Sequence, residues 1–585
     1  MQNPDRAGLL RLFLAALSLL AAFGFLRLPS VDAFLTAPLF EQGSDIPAPA
    51  AGETAWRSPF FPPGPAASLS RLAVSVSGHQ RMQAWLEDAS GRRSRPLEVQ
   101  SGPVPVAWQG TLRPPSAAPQ QLVLDWSSHP EGHPRLAFLS VRPLDPRYYA
   151  RRQAVLLCRA LALGFALFAA GTAVRRRLGP DRFATLAWRR LLPAVLLGLV
   201  LWGCLIRYDG TRGPRGHTYG FSGLIDMGAY AYDHTTERAR EVDFKVNSFS
   251  GYDSAGYIQV ALDPLLQDNR DLAAALGGPT YRAKRILLPA LSWIGGLGQP
   301  ASIVQVFALL NLPFWLLLLA LLLRAFPKAS AEQGAILVGL LLATGTLESV
   351  RRALVDLPTT ACLAAALLAL RSPRPGWQAP LAWGAACLAR ETSSLGAGLL
   401  TVLWTRKAEE KGKTAPSFWI GLGLALAVIG GWYAYVHHRF PAPPGEVSTL
   451  GTGTEKTLGW PLAALLRQLR FCFTADGLGN PDHLQAFLAI ASLLTQALFL
   501  LRHPRPDSAA WRMGLPFVVL LACFGDAVWD GRTPSALRVG LPLTLAFHWE
   551  LASTGRRGAA FWKWWIPANL YLWQGLADFL VVRAI

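Results

Sequence analysis

A polar stretch between two apolar segments, from 247 to 289, carries the residue types that acid–base and anion chemistry require. A carboxylate beside a basic cluster suits the removal of a proton from a hydroxyl while guanidinium groups hold phosphate oxygens. We predict Asp253 as the catalytic base. The alternative is that it caps a helix that begins at Ser254, because a carboxylate there can accept free backbone N–H bonds. The neighbouring candidate substrate-binding residues are Tyr252, Tyr257, Arg282, Lys284 and Arg285.

Further polar spots interrupt or adjoin apolar segments later in the chain, and one of them, Glu348 with Arg351 and Arg352, leads directly into Asp356. Ionisable side chains inside membrane segments are costly, so they usually face a cavity or one another. The alternative is a structural Arg–Glu pair that fixes helix packing. We predict that four of these side chains bind substrate beside Asp253, namely Asp356, Arg390, Glu391 and Arg538.

The elements that must position these side chains are membrane helices. The chain has 585 residues, of which 51% are hydrophobic and only 16% are charged. Leu- and Ala-rich segments recur along most of its length, and about 17–25 apolar residues are enough for a helix to cross the hydrocarbon core. The pattern predicts a polytopic α-helical membrane protein with about thirteen spans.

Short basic loops between the apolar segments account for much of the formal net charge of +19. Loops of this kind mark the cytoplasmic side of a membrane. No basic patch with interleaved aromatic residues indicates nucleic-acid binding. With the N-terminus inside, the two long polar loops, 207–300 and 437–484, lie outside. We therefore expect an integral protein of a bacterial-type cytoplasmic membrane, with its active site facing the periplasm or exterior.

Four parts follow one another along the chain. Residues 1–29 form a predicted N-terminal membrane anchor. In 30–148, Pro, Gly and Ser are frequent and short runs alternate between apolar and polar residues, which predicts an extracytoplasmic β-sandwich. Residues 149–187 contain a second span and a basic cytoplasmic loop, and 188–585 form the transmembrane core.

Common catalytic and metal-binding motifs are missing from the sequence. The six cysteines are scattered, without CxxC or Cys/His spacing, so neither a disulfide framework nor a zinc site is indicated. No P-loop, GxSxG or HExxH motif occurs, which removes the commonest signatures of ATPases, hydrolases and metalloproteases.

A series of motifs in the core resembles the GT-C superfamily of membrane glycosyltransferases. The series begins with YDxxxY and an Asp-Pro ten residues after Asp253, and continues with YRAKRILLPALSWIGGLG, VDLPTTA, LARETSSL and LRVGLPL. The order and placement of the motifs carry the resemblance, which covers roughly 188–580. More narrowly, the series is similar to bacterial relatives of polyprenyl-phosphate-sugar-dependent mannosyltransferases.

The resemblance implies a fold, a reaction and roles for particular residues. It implies a GT-C-like core and transfer of a sugar from a polyprenyl-phosphate donor, with inversion at the anomeric centre, to a cell-surface glycan, lipid or protein. By this resemblance, Asp253 corresponds to the family's catalytic Asp. Arg282, Lys284 and Arg285 correspond to positions that contact the donor phosphate. The family often has paired acidic residues in this loop. Asp253 has no adjacent acidic partner, so a divalent metal is possible but has no support.

Two other functions stay open at this point. A transporter or flippase of lipid-linked sugars also needs charge facing a cavity, although such proteins commonly show repeated halves with matching broken helices. The second alternative is a non-catalytic subunit of a glycopolymer-assembly complex, which docks through the β-domain. For the non-catalytic subunit, loss of Asp253 would leave activity intact.

Overall fold

The computed structural model describes most of the transmembrane core and the strands of the N-terminal domain. It covers 190–580, apart from 248–250, 277, 328–329, 373, 402–415, 442–456, 474–480 and 530–533, together with eight strands between 40 and 143 and a few residues beside them. The predicted anchor (1–29) and the second span with its basic loop (149–187) lie outside the described residues.

The N-terminal strands form two antiparallel sheets of four described strands each. The sheet orders are β1-β8-β3-β6 and β2-β7-β4-β5, so consecutive strands lie in different sheets except for β4 and β5, which pair directly. In a β-sandwich, too, each sheet contains strands that are not all consecutive in the chain. The face-to-face packing of these two sheets stays a prediction. The strands are β1 Phe40–Gln42, β2 Ala55–Arg57, β3 Ser70–Ser77, β4 Arg81–Asp88, β5 Leu97–Gln100, β6 Val106–Leu112, β7 Gln120–Asp125 and β8 Arg135–Pro143.

The core is helical, and a described helix lies on each apolar segment that the sequence predicts beyond residue 190. The first elements are α1 Leu192–Leu205, β9 Asp209–Arg212, β10 Thr218–Gly220, a 3₁₀ helix Ser222–Leu224, β11 Met227–Gly228, α2 Ala229–Asp233, α3 Glu237–Arg240 and β12 Val246–Asn247. The next are α4 Asp253–Leu262, α5 Asn269–Leu276, α6 Pro279–Arg282, α7 Leu287–Gly295, α8 Pro300–Leu309, α9 Asn311–Ala325, α10 Ala331–Leu341 and α11 Thr344–Arg351.

The second half of the core continues in the same way. It contains α12 Asp356–Ala369, α13 Gln378–Ala389, a 3₁₀ helix Glu391–Thr401, α14 Pro416–Arg439, α15 Ala463–Cys472, α16 Pro481–Arg502, α17 Ala509–Ala522 and α18 Asp526–Trp529. The last helices are α19 Pro534–Val539, α20 Leu541–Ser553, α21 Ala559–Ala568 and α22 Leu572–Leu580.

Several helices have the length and composition of membrane spans. Among the described residues, Pro300–Ala325, Pro416–Arg439 and His483–Arg502 are long and apolar enough, and the bent pair α10–α11 would make a fourth. Helix α14 also exposes large apolar side chains that suit contact with lipid, including Trp419, Ile420, Leu424, Leu426 and Val428. The chain is an integral membrane protein, and the count of about thirteen spans stays a prediction.

Two breaks interrupt the helices of the core. Helix α10 meets α11 at an angle of 42°. Helix α13 ends at Ala389, Arg390 is extended with φ −154° and ψ 123°, and the following turns are 3₁₀ rather than α. The interruption that Arg390-Glu391 predicts in the sequence is therefore present. Irregular backbone at such a place needs other protein groups around it, since lipid offers no hydrogen bonds.

Candidate active site

Asp253 is the first residue of helix α4, which is buried along the rest of its length. The turn before it depends on Gly251, whose φ is +88° and where a Cβ atom would come within 2.9 Å of the Gly228 nitrogen. The Tyr252 N–H then donates to the Asp226 carbonyl at 3.2 Å. Asp253 begins the helix instead of preceding it, and its carboxylate contacts arginine side chains, so the capping alternative is wrong.

Two arginines from distant parts of the chain contact the Asp253 carboxylate. Arg538 Nη2 lies 2.9 Å from Oδ2, and Arg282 Nη2 lies 3.7 Å from Oδ1. Burial alone would raise the pKa of this carboxyl, but the positive charges of Arg538 and Arg282 outweigh burial and hold its pKa well below the usual range. The side chain of Asp253 is still 24% exposed, so an incoming ligand can reach an ionised carboxylate.

A second carboxylate, Asp356, lies behind Arg538. Its side chain is only 2% exposed at the start of α12, and Oδ2 lies 3.5 Å from Arg538 Nε. Arg390, at the break after α13, forms an ion pair with the other oxygen, Oδ1. Arg538 therefore bridges Asp253 and Asp356. We call these two carboxylates, with Arg282, Arg390 and Arg538, the Asp253 cluster.

The Asp253 cluster carries an excess positive charge. Its three guanidinium groups face two carboxylates. Buried charges are stable only when they are paired and hydrogen-bonded. Three guanidinium groups close to a partly exposed carboxylate suit an anionic ligand such as phosphate, which arginine can bind through two parallel N–H bonds.

Arg285 belongs to a separate clamp. Its side chain is 1% exposed, and Nε and Nη2 donate to the two carboxylate oxygens of Glu391 at 2.8 and 2.6 Å. Nη1 donates to the hydroxyl of Tyr257, and the guanidinium carbon lies 4.0 Å from the centre of the Tyr281 ring. Burial raises the pKa of Tyr257 to about 12 although Arg285 opposes it, so the phenol stays neutral. This clamp joins the 281–286 turn to the 3₁₀ helix.

The contacts of the clamp predict how a substitution of Arg285 changes stability. Replacement by Lys keeps the charge but loses the two-pronged contact with Glu391, so we expect a loss of about 1.5–3 kcal/mol in the free energy of unfolding. Unfolding in mixed micelles would measure it. Donor affinity should change less than in a variant of Arg538. A larger loss of affinity for Arg285→Lys would instead support the phosphate contact predicted from the sequence.

The remaining predicted residues fall into two places. The Tyr252 ring packs against two guanidinium groups, with its centre 5.0 Å from the Arg538 Cζ atom and 4.3 Å from that of Arg352. The Lys284 ammonium instead lies 5.5 Å from the centre of the Tyr433 ring. Nine of the ten predicted residues are thus in the cluster, the clamp or direct contact with them, and Lys284 points elsewhere.

Several charged neighbours were not among the predicted site residues. Arg352 Nε lies 2.9 Å from Glu348, and its Nη1 lies 3.4 Å from Asp226, which also accepts a hydrogen bond from Asn247. The three- and four-residue spacing of Glu348 to Arg351 and Arg352 was a readable signal of helical ion pairs. Asp226 and Asn247 stand in loop sequence with no pattern that could have identified them.

Metal binding has no structural candidate in the part of the chain that the structure describes. No group of three or more His, Cys, Asp or Glu side chains there is arranged to hold a metal ion. The carboxylates near Asp253 each have an arginine partner.

Comparison with known proteins shows a likeness to a solved structure but none to a known sequence family. No family model matches the chain, and no curated protein sequence matches it. Among solved structures, the chain is similar to the crystal structure of ArnT from Cupriavidus metallidurans bound to undecaprenyl phosphate, with 15% identical residues and a TM-score of 0.37. The match covers 65% of this chain and 62% of that one, which is less than two thirds of its length.

Proposed function

We propose that this protein is a membrane glycosyltransferase of the GT-C type, which moves a sugar from a polyprenyl-phosphate donor to a cell-surface glycan, lipid or protein. The observation that carries the proposal is the Asp253 cluster, where a partly exposed carboxylate shares two guanidinium groups beside apolar helices. The lipid tail of such a donor would lie in the membrane, and its phosphate would contact the arginines. The hydroxyl of the acceptor would contact the carboxylate of Asp253.

The proposed reaction is a single displacement. The acceptor oxygen forms a bond to the anomeric carbon while the bond from that carbon to the phosphate oxygen breaks, and the electron pair leaves with the polyprenyl phosphate. Asp253 takes the proton of the acceptor hydroxyl. Arg282 and Arg538 stabilise the negative charge that develops on the phosphate. One displacement inverts the anomeric centre.

The basicity of Asp253 depends on the donor in this mechanism. In the free protein the two arginines hold its pKa well below the usual range, which leaves an ionised but weak base. Phosphate oxygens that contact the same guanidinium groups would take up part of their charge. The pKa of Asp253 should then rise toward its ordinary value, so the carboxylate becomes a stronger base once the donor is bound.

The pH dependence of transfer tests this coupling. The profile of kcat/KM reports the free enzyme, where Asp253 is already ionised above about pH 4, so its acid side should be flat. The profile of kcat reports the donor complex and should show an acid limb at higher pH. An acid limb of kcat/KM with an apparent pKa of about 5 to 6 would contradict the lowered pKa in the free protein.

Donor turnover can be measured without knowing the acceptor. The purified protein in lipid nanodiscs is incubated with undecaprenyl-phosphate-linked glucose, mannose or N-acetylglucosamine, and released undecaprenyl phosphate is quantified by mass spectrometry. Slow hydrolysis of at least one donor is expected, with water as the acceptor, because Asp253 can also take a proton from water. No release from any donor, with net movement of the same lipids across a proteoliposome membrane, would favour the transporter.

Orientation and acceptor are part of the proposal. We place the site on the outer face of a bacterial-type cytoplasmic membrane, on the basis of the basic loops, and expect the loop 437–484 and the N-terminal β-domain to choose the acceptor. Accessibility of a single cysteine in loop 207–300 to an impermeant thiol reagent would establish the side. Labelling only after membrane disruption would show that the loop and the site face the cytoplasm.

A further inference from the structure

A second group of polar side chains contacts Tyr252, beside the Asp253 cluster. Arg352 packs on the Tyr252 ring, and its Nη1 lies 3.4 Å from Asp226 Oδ2. Asn247 donates its amide N–H to Asp226 Oδ1. We call Asp226, Asn247 and Arg352 the Asp226 group. The Tyr252 ring contacts both this group and the Asp253 cluster, with its centre 4.3 Å from Arg352 Cζ and 5.0 Å from Arg538 Cζ.

The Asp226 group itself carries no net charge, because its one guanidinium meets its one carboxylate. Glu348 lies 2.9 Å from Arg352 and 3.0 Å from Arg351. The nearby Arg207 guanidinium donates to the backbone carbonyls of Gly203 and Phe579, at the ends of two helices, where the helix dipole is negative. The positive excess of the Asp253 cluster is therefore absent from the three residues of the Asp226 group.

Two members of the Asp226 group remain accessible. The side chain of Asp226 is 24% exposed, as much as that of Asp253, and the side chain of Arg352 is 13% exposed. Asp226 has a φ of +52°, and Ala353, which follows Arg352, has a φ of +48°. Such a backbone is unfavourable for residues other than glycine and persists only where surrounding contacts enforce it. The contacts of this group are therefore held in place before any ligand arrives.

We infer that the Asp226 group is the subsite for the sugar ring of the donor. A neutral sugar presents pairs of hydroxyl groups, each of which donates and accepts hydrogen bonds. A carboxylate, an amide and a guanidinium provide acceptors and donors for such pairs without a net charge. The inference rests on the proposed function, because the phosphate in the Asp253 cluster places the attached sugar beside Tyr252.

The test compares two lipids in wild-type protein and in Asp226→Asn. Bare undecaprenyl phosphate reports the phosphate site alone, and undecaprenyl-phosphate glucose, mannose and N-acetylglucosamine report phosphate and sugar together. Dissociation constants in nanodiscs are measured for each. The variant should bind bare undecaprenyl phosphate within twofold of wild type and bind the preferred sugar lipid at least tenfold more weakly. Arg352→Gln should show the same selective loss.

A matched control is available in the same loop. Asp209→Asn makes the same substitution at an exposed carboxylate that pairs with Lys245, and it should leave both affinities unchanged. Equal effects of Asp226→Asn on the two lipids, or no effect on either, would overturn the sugar subsite while leaving the proposed function in place. Failure of wild-type protein to bind bare undecaprenyl phosphate would overturn the proposed function, and the subsite with it.

Discussion

Replacement of Asp253 by Asn should lower kcat for sugar transfer by a factor of about 10²–10⁴, the usual contribution of a general base. Asn has nearly the same shape but cannot take a proton from the acceptor. Donor affinity should stay the same or increase, because Arg282 and Arg538 lose a competing anion. The assay is release of undecaprenyl phosphate from a sugar-loaded lipid, combined with a binding titration of the same lipid.

The control for this variant lies at the other end of the same helix. Asp263 follows the last residue of α4, and its carboxylate accepts the backbone N–H of Asp268 at 3.0 Å. Asp263→Asn should therefore retain wild-type kcat. Transfer by Asp253→Asn at a near wild-type rate would remove this residue as the base and favour a non-catalytic subunit. A loss of donor binding without a loss of kcat would make it a positioning residue for the arginines.

Replacement of Arg538 by Gln should have two large effects. Asp253 and the buried Asp356 would each lose one of two arginine partners, and the loss of a charged hydrogen bond typically costs about 1.5–3 kcal/mol of unfolding free energy. Loss of charged hydrogen bonds worth about 1.5–3 kcal/mol should also raise the Kd for undecaprenyl phosphate roughly ten- to hundredfold. Unfolding in mixed micelles and lipid titration measure the two effects separately.

A second substitution separates stability from function at Arg538. Arg538→Lys keeps a positive charge beside Asp253 and Asp356, so it should lose less stability than Arg538→Gln, while the two-pronged contact with phosphate is still lost. Arg467→Gln is the surface control. Arg467 and Asp526 form an exposed pair, and such pairs contribute about 0–1 kcal/mol. Full phosphate affinity in folded Arg538→Gln, in spite of its lower stability, would show that Arg538 acts only through folding.

Most members of the Asp253 cluster could be selected from the sequence, because charged side chains are rare in apolar membrane segments. Asp356, Arg390 and Arg538 stand out in apolar segments, where an ionisable group needs a partner. Their pairing was not readable from the sequence. Arg538 and Asp253 are 285 positions apart, and nothing in local periodicity indicates that α19 and α4 meet.

The basic cluster shows a different limit of sequence reasoning. Arg282, Lys284 and Arg285 lie within one turn of chain, and the sequence suggested that all three meet the donor phosphate. In the structure Arg282 contacts Asp253, Arg285 contacts Glu391, and Lys284 lies over Tyr433. Helix α6 ends at Arg282 and the chain turns before α7 begins at Leu287, so basic residues that are close in the sequence do not share one direction in space.

The position of the lipid phosphate is the most direct test of this account. A cryo-electron microscopy structure of the protein in nanodiscs with undecaprenyl phosphate would show it. We predict that its oxygens lie about 2.7–2.9 Å from the guanidinium nitrogens of Arg282 and Arg538, as in charge-assisted hydrogen bonds, with Asp253 beside them. A phosphate bound away from both arginines, with the Asp253 ion pairs unchanged, would contradict the proposed active site.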